Sequence, residues 1–135
     1  MTLYVCLDDK NGMLFNHRRQ SRDAAVLQDI QASIPEVLTI DPFSEKLIKS
    51  AGIPYVLAPE EAVSPEENVH FFLENREPSE LACLASSIVL YRWNRHYPAD
   101  MHWNVDLAEL GFALTGCWEF PGKSHETITK EVYTR

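Results

Sequence analysis

The sequence predicts an α/β fold: a single domain over residues 1–135 in three αβα layers, with a mixed central sheet closed by a C-terminal antiparallel hairpin. Three observations carry this. Short apolar runs alternate with stretches of helical spacing, the signature of strands alternating with helices. A length of 135 residues and 45% apolar content suit one domain with a real core. Two strand-like runs, 111–120 and 126–133, flank the turn pair Pro121-Gly122, and a closing hairpin rules out a purely parallel sheet.

The elements follow in order. Residues 4–7 form a short strand, and Asp8 to Gly12 supply a turn in which Asn11 and Gly12 tolerate positive φ. Ser21 is the expected N-cap of a helix over 22–34, whose Leu27, Ile30 and Ile34 share a face. Pro35 ends it. Residues 36–40 are a strand. Asp41-Pro42 then starts a helix, because proline at the first helical position lacks only an N–H that has no partner there. Phe43, Leu47 and Ile48 point inward, and Gly52 stops the helix.

Residues 55–58 and 69–73 are strands separated by an acidic, turn-rich surface segment at 59–68. Pro78 opens a helix with Leu81 and Leu84 inward, and 88–93 is the next strand. Residues 101–105 read as a short strand and 107–110 as a helical turn. In the last strand both alternating sets mix polar and apolar residues, so pattern alone leaves its buried face open.

A net charge of −8 argues against a general nucleic-acid or anionic-membrane binder, since both need a cationic surface. No run approaches the roughly 20 apolar residues of a membrane helix, and MTLYVCLDD lacks the basic region of a signal peptide. Cys6, Cys83 and Cys117 are odd in number and far apart, which suits a reduced, cytoplasmic setting. Cys6 and Cys83 are expected as small core residues.

Arg18, Arg19 and Arg22 form a compact basic run beside Ser21 at a helix start. The run could hold a phosphate or carboxylate, or be a solvated loop paired with nearby acids. Tyr91, Arg92 and Trp93 open the densest aromatic and cationic stretch, residues 91–98. Such residues stack on a planar ligand, serve an interface, or end a half-buried strand whose arginines pair with Glu74 and Asp100. The five histidines show no metal-ligand spacing, and neither a nucleophile elbow nor a phosphate-binding glycine loop is present.

The order of units resembles the dihydrofolate reductases. Residues 85–93 are similar to that family's helix-to-strand unit. Asp100 and Trp103 are similar to its Asp-x-x-aromatic unit, and KSHETITKEVYTR to its last strand. Asp8 and Gly12 have the spacing of the family's opening Asp and Gly. The resemblance spans essentially the whole chain, with the centre shortened, and lies in order rather than in any one motif. It implies that Asp23, at the start of the first long helix, is the carboxylate assisting proton delivery to a pterin. The simpler reading of Asp23 is an acid favoured by the helix dipole.

The departures fall on the cofactor. Where the family has Gly-Gly against the NADPH pyrophosphate, this chain has Leu73-Glu74-Asn75-Arg76, and glutamate adds bulk and like charge. Asp41 and Phe43 replace phosphate-holding Arg and Thr, Tyr91 replaces a threonine, and Arg18-Arg19 replace a Pro-Trp pair. The expected arginine for a folate tail has no clear match near Ile53-Pro54.

Three expectations follow. The first is a protein of this fold without reductase activity and without a cofactor. It binds a small anionic or aromatic ligand, or a protein partner, through Arg18, Arg19, Arg22, Tyr91, Arg92 and Trp93. The second is a divergent NADPH-dependent reductase of a pterin or related heterocycle, with Asp23 assisting proton transfer. The third is an interaction protein, a homodimer using the strand edge at residues 91–97.

Overall fold

Strand β1 (Thr2–Leu7) is the axis of the protein. The computed structural model describes residues 1–60, 63 and 66–135. Within these, β1 pairs in parallel with β6 (His70–Phe72) on one side and β7 (Ser87–Arg92) on the other. Beyond β6 lie β4 (Leu38–Ile40) and β5 (Tyr55–Leu57), also parallel. Beyond β7 lies the hairpin of β10 (Ile128–Thr134) and β9 (Ala113–Phe120), antiparallel. Among the described residues the order is β5-β4-β6-β1-β7-β10-β9, a mixed sheet of seven strands. A smaller sheet sets β2 (Gly12–Phe15) between β3 (Arg18–Arg19) and β8 (Met101–His102).

Both faces of β1 are apolar because both are covered. Leu3, Val5 and Leu7 join Phe71, Ile88 and Leu90 in one cluster. It is roofed by Leu81 and Ala82 of helix α3 (Pro78–Leu84) and by Met13, Trp103 and Phe112. Tyr4, Phe72, Val89 and Tyr91 point the other way. They meet Val26 and Ile30 of α1 (Ala24–Ser33) and Leu47 and Ile48 of α2 (Glu45–Ser50). These are the predicted three layers. Each fully buried Leu, Ile or Phe contributes about 1.5–3 kcal/mol.

Several local expectations need correction. Helix α1 begins two residues late: its N-cap is Asp23, whose side chain accepts from the Ala25 N–H, and Ser21 lies outside the helix. Asp41 is followed by a 3-10 turn (Pro42–Ser44) before α2, and its carboxylate makes an ion pair instead of a cap. Gly52 ends α2 at φ +73°, as expected. Helix α3 buries Pro78, Leu81 and Ala82, whereas Cys83 and Leu84, expected inside, are exposed at its end. Of the surface segment expected at 59–68, residues 61, 62, 64 and 65 lie outside the described residues.

The expected edge at residues 91–97 is not an edge. Tyr91 and Arg92 belong to β7, which is paired on both sides by β1 and β10. Among the described residues the strands at the two ends of the sheet are β5 and β9. No helix among the described residues is long and apolar enough to cross a membrane.

Candidate functional site

The β2–β3 hairpin turns on Asn16 and His17, both at positive φ (52° and 58°), with Phe15 opposite Arg18. A two-residue turn of that hand matches the twist of its strands. It carries Arg18 and Arg19 to the side of the sheet where α1 and α2 begin. There Arg18, Arg19 and Arg22 line one groove of about 520 Å³ with His17, Phe43 and Lys46. The three predicted arginines therefore converge.

Their roles differ. Arg19 is committed: its Nε and Nη2 donate to Glu74 at 2.5 and 2.6 Å, and its guanidinium lies 5.3 Å from the centre of the Phe43 ring. Glu74 also accepts from the Ser44 hydroxyl at 2.7 Å. Arg18, Arg22 and Lys46 are exposed, and among the described residues none of them makes an ion pair. Among the described residues no carboxylate lines the groove. In a chain of net charge −8 this is a local positive field beside an aromatic face.

Asp23 stands behind this groove and is fully engaged. It is 1% exposed. Besides Ala25, it accepts from the backbone N–H groups of Lys123, Ser124 and His125 at 2.9, 2.8 and 3.1 Å, and from His125 Nδ1 at 3.0 Å. Burial alone pushes its carboxyl up, but these donors together outweigh burial and hold its pKa at about 2. Such a group stays ionised at neutral pH and has no proton to give. Gly122 makes the approach possible: a Cβ there would lie 2.5 Å from the His125 carbonyl oxygen and 2.6 Å from Asp23 Oδ2. The loop between β9 and β10 is thus latched to the start of α1.

Tyr91, Arg92 and Trp93 lie away from the groove. Tyr91 has no exposed surface, and its hydroxyl donates to Asp29 at 2.6 Å. Burial and that acceptor push its phenol far above the ordinary range. Arg92 donates to Glu131 at 3.2 Å and to Asn11. The expected pairing with Glu74 or Asp100 is not made: Glu74 takes Arg19, and Asp100 accepts the Asn16 N–H. Trp93 is 4% exposed and stacks on the His125 ring at 4.6 Å. Cys6, Trp93, Arg19 and Asp23 border a space of only about 10 Å³, roughly one water. The interior behind the arginines is filled by the protein's own side chains. Burial pushes the Cys6 thiol up, in line with a packing role.

Phe43, Lys46 and His125 were not expected at the site. Phe43 has the spacing of a core residue, and Lys46 reads as one more solvated charge on a helix. His125 sits in a loop with no period to betray it.

The two segments that the resemblance assigns to cofactor phosphates do meet. Asp41, Pro42 and Phe43 face Asn75 and Arg76 across a cleft of about 640 Å³ at the carboxyl ends of the parallel strands. The residues there do not fit a dinucleotide pyrophosphate. Asp41, Glu60 and Glu80 line the cleft, and among the described residues no glycine does. Its one cation, Arg76, is already held by Asp41 through two bonds of 2.5 and 3.2 Å.

Neither a protein-family model nor a curated protein sequence matches the chain. A solved structure does: dihydrofolate reductase from Enterococcus faecalis, complexed with NADP(H) and RAB-propyl. The two superpose with a TM-score of 0.71 over 99% of this chain and 95% of that one, at 9% sequence identity. The chain therefore has the dihydrofolate reductase-like fold that its order of units suggested.

Proposed function

We propose that this is a cytoplasmic binding protein of dihydrofolate reductase-like fold, without reductase activity. It holds a small planar anion in the groove of Arg18, Arg19, Arg22, Phe43 and Lys46. The observation that carries this is the set of three exposed cations without ion pairs, Arg18, Arg22 and Lys46, beside an aromatic ring that already accepts a guanidinium. Each such charge attracts an anion at contact by about 1 kcal/mol in water, and more where side chains exclude solvent. A reductase reading is disfavoured by the acids of the neighbouring cleft and by a proton-delivery carboxylate that stays ionised.

Calorimetric titration with folic acid and with AMP tests the proposal. Binding of either is expected at micromolar to millimolar Kd and weakens at least about tenfold in Arg18→Ser/Arg22→Ser, about 1.4 kcal/mol. NADPH binding at micromolar Kd by fluorescence titration, or oxidation of NADPH with a dihydropterin, overturns it.

A homodimer is the second reading; because β7 is paired on both sides, the surface proposed for it is the edge strand β9. That strand ends the sheet and exposes Leu114 and Trp118 at 54% and 55%. Unpaired edges with exposed apolar side chains invite pairing with a second strand. Light scattering across a hundredfold concentration range, with Trp118→Glu as the disrupting variant, separates dimer from monomer.

A further inference from the structure

The network around His125 contains a serine that the binding proposal leaves unused. His125 Nδ1 lies 3.0 Å from Asp23 Oδ2, and its Nε2 lies 3.1 Å from Ser21 Oγ. The side chains of His125 and Asp23 are 2% and 0% exposed, whereas Ser21 is only partly buried. The base and its orienting acid are therefore inside, and the hydroxyl is outermost. The imidazole is fixed from every side. The Trp93 ring stacks on it with 18° between planes, and the Tyr97 ring meets it edge-on at 78°. Its own backbone N–H donates to the same carboxylate oxygen, at 3.1 Å.

The tautomer follows. A carboxylate accepting from Nδ1–H leaves the lone pair on Nε2 facing Ser21. The Tyr97 hydroxyl is 2.9 Å from Nε2 and 3.4 Å from Ser21 Oγ. When Ser21 donates to Nε2, Tyr97 can turn its proton to Ser21 Oγ, so all three groups are bonded.

We propose that Ser21, His125 and Asp23 form an acyl-transfer triad, with Ser21 as nucleophile, His125 as general base and Asp23 as its positioning residue. Such constellations are recognised by geometry and role and recur on unrelated folds. The substrate class is a carboxylic ester carrying an anionic group. The one-water space behind Ser21 admits no ester, so the substrate approaches its partly exposed side, where its neighbours Arg19 and Arg22 line the cationic groove. This choice of substrate rests on the groove reading above, whereas the activation of the serine does not.

In the first step Ser21 Oγ bonds to the acyl carbon and its proton moves to His125 Nε2. The bond from acyl carbon to the alcohol oxygen breaks, its electron pair goes to that oxygen, and the oxygen takes the proton from Nε2. Water then attacks the acyl-serine and gives one proton to Nε2. The ester bond to Oγ breaks, and Oγ leaves with the pair and recovers the proton. The sum is ester plus water to acid plus alcohol, with no oxidation or reduction.

The test is a fluorophosphonate probe on the intact chain, with the labelled peptide identified by mass spectrometry. Labelling at Ser21 is expected. It should vanish in Ser21→Ala and slow at least tenfold in Asp23→Asn, with a pH profile that His125→Gln flattens. A folded protein left unlabelled at Ser21 overturns the triad while leaving anion binding untouched. Because Asp23 also holds the fold, Ser21→Cys supplies an independent measure. Its new thiol should be alkylated by iodoacetamide at least tenfold faster than exposed Cys117 in the same molecule, and equal rates overturn the proposal. The substrate class is read from the ratio of turnover of 4-nitrophenyl hemisuccinate to 4-nitrophenyl acetate. A ratio near ten that falls to one in Arg18→Ser/Arg22→Ser supports the groove as the substrate site. Labelling with a ratio of one supports the triad and overturns the groove.

Discussion

Replacing Asp23 by asparagine should remove a defined part of the protein's pH dependence. The carboxyl titrates at about 2 in the fold against an ordinary 3.8. At 1.36 kcal/mol per pH unit, that gap is worth about 2 kcal/mol. The sign is fixed because the folded pKa is the lower one. The contribution is fully present above the unfolded value, and it drains away as pH falls from about 4 towards 2. Asparagine has no such titration. It also turns an NH2 donor towards a ring of donors, the backbone N–H groups of residues 25, 123, 124 and 125 and His125 Nδ1. A loss of about 2–4 kcal/mol at neutral pH follows from the worth of charge-assisted bonds and the cost of unmet donors. The assay is urea unfolding by circular dichroism at intervals from pH 7 to pH 2. The midpoint of Asp23→Asn should lie about 1–2 M below the parent at neutral pH. The two curves should converge by about 2 kcal/mol below pH 4. Asp8, whose carboxyl four hydrogen bonds also hold low, adds the same slope to both proteins and cancels in the difference. Parallel curves through that window would falsify the assignment of Asp23 as the latch.

Other outcomes can be checked alongside. Gly122→Ala should cost about 2–3 kcal/mol, because its methyl group would meet the His125 carbonyl and the Asp23 carboxylate, with overpacking and a weakened latch adding together. Its loss should shrink as Asp23 is protonated, which the same urea series measures. His17→Gly should raise stability by up to about 1 kcal/mol in a thermal melt, since its φ of 58° is strained for a residue with a Cβ. Arg19→Met should destabilise by about 3 kcal/mol, leaving the half-buried Glu74 with Ser44 alone, and Glu74→Gln in the same protein should recover part of it. Arg18→Ser and Arg22→Ser should move the melting point little, because exposed charges without ion pairs contribute within about 0.5 kcal/mol.

The layers were legible in the sequence because alternation is a local property. The apolar run at 4–7 marked β1 as a strand, and Leu27, Ile30 and Ile34 marked the buried face of α1. The closing hairpin was legible from Pro121-Gly122. Of the smaller sheet only β8 was legible, within the strand expected at 101–105; β2 and β3 were not, and β3, with two residues, is too short to show a period. Nor was the true cap of α1. Ser21 and Asp23 both suit the position, and the choice was made by donors a hundred residues away in the chain. The convergence of Arg18, Arg19 and Arg22 could be read from their closeness in sequence. Tyr91 misled for the converse reason: an aromatic beside an arginine looks like a surface. Only the pairing of β7 on both sides reveals that it is interior, with Asp29 waiting for its hydroxyl.

The latch also bears on how the chain becomes a protein at all. Asp23 and its partner Ser124 are 101 residues apart. On a ribosome adding about 5–20 residues each second, α1 emerges several seconds before the loop that completes its cap. The middle of the sheet has the same shape in time, since β1 must wait for β6 and β7, and β7 for β10. A nascent chain can form the β2–β3 hairpin early, but it has little else of its own to close on. Folding therefore waits for the β9–β10 hairpin, with the slow rates of non-local pairing. Until then the apolar strands stand open to chaperones.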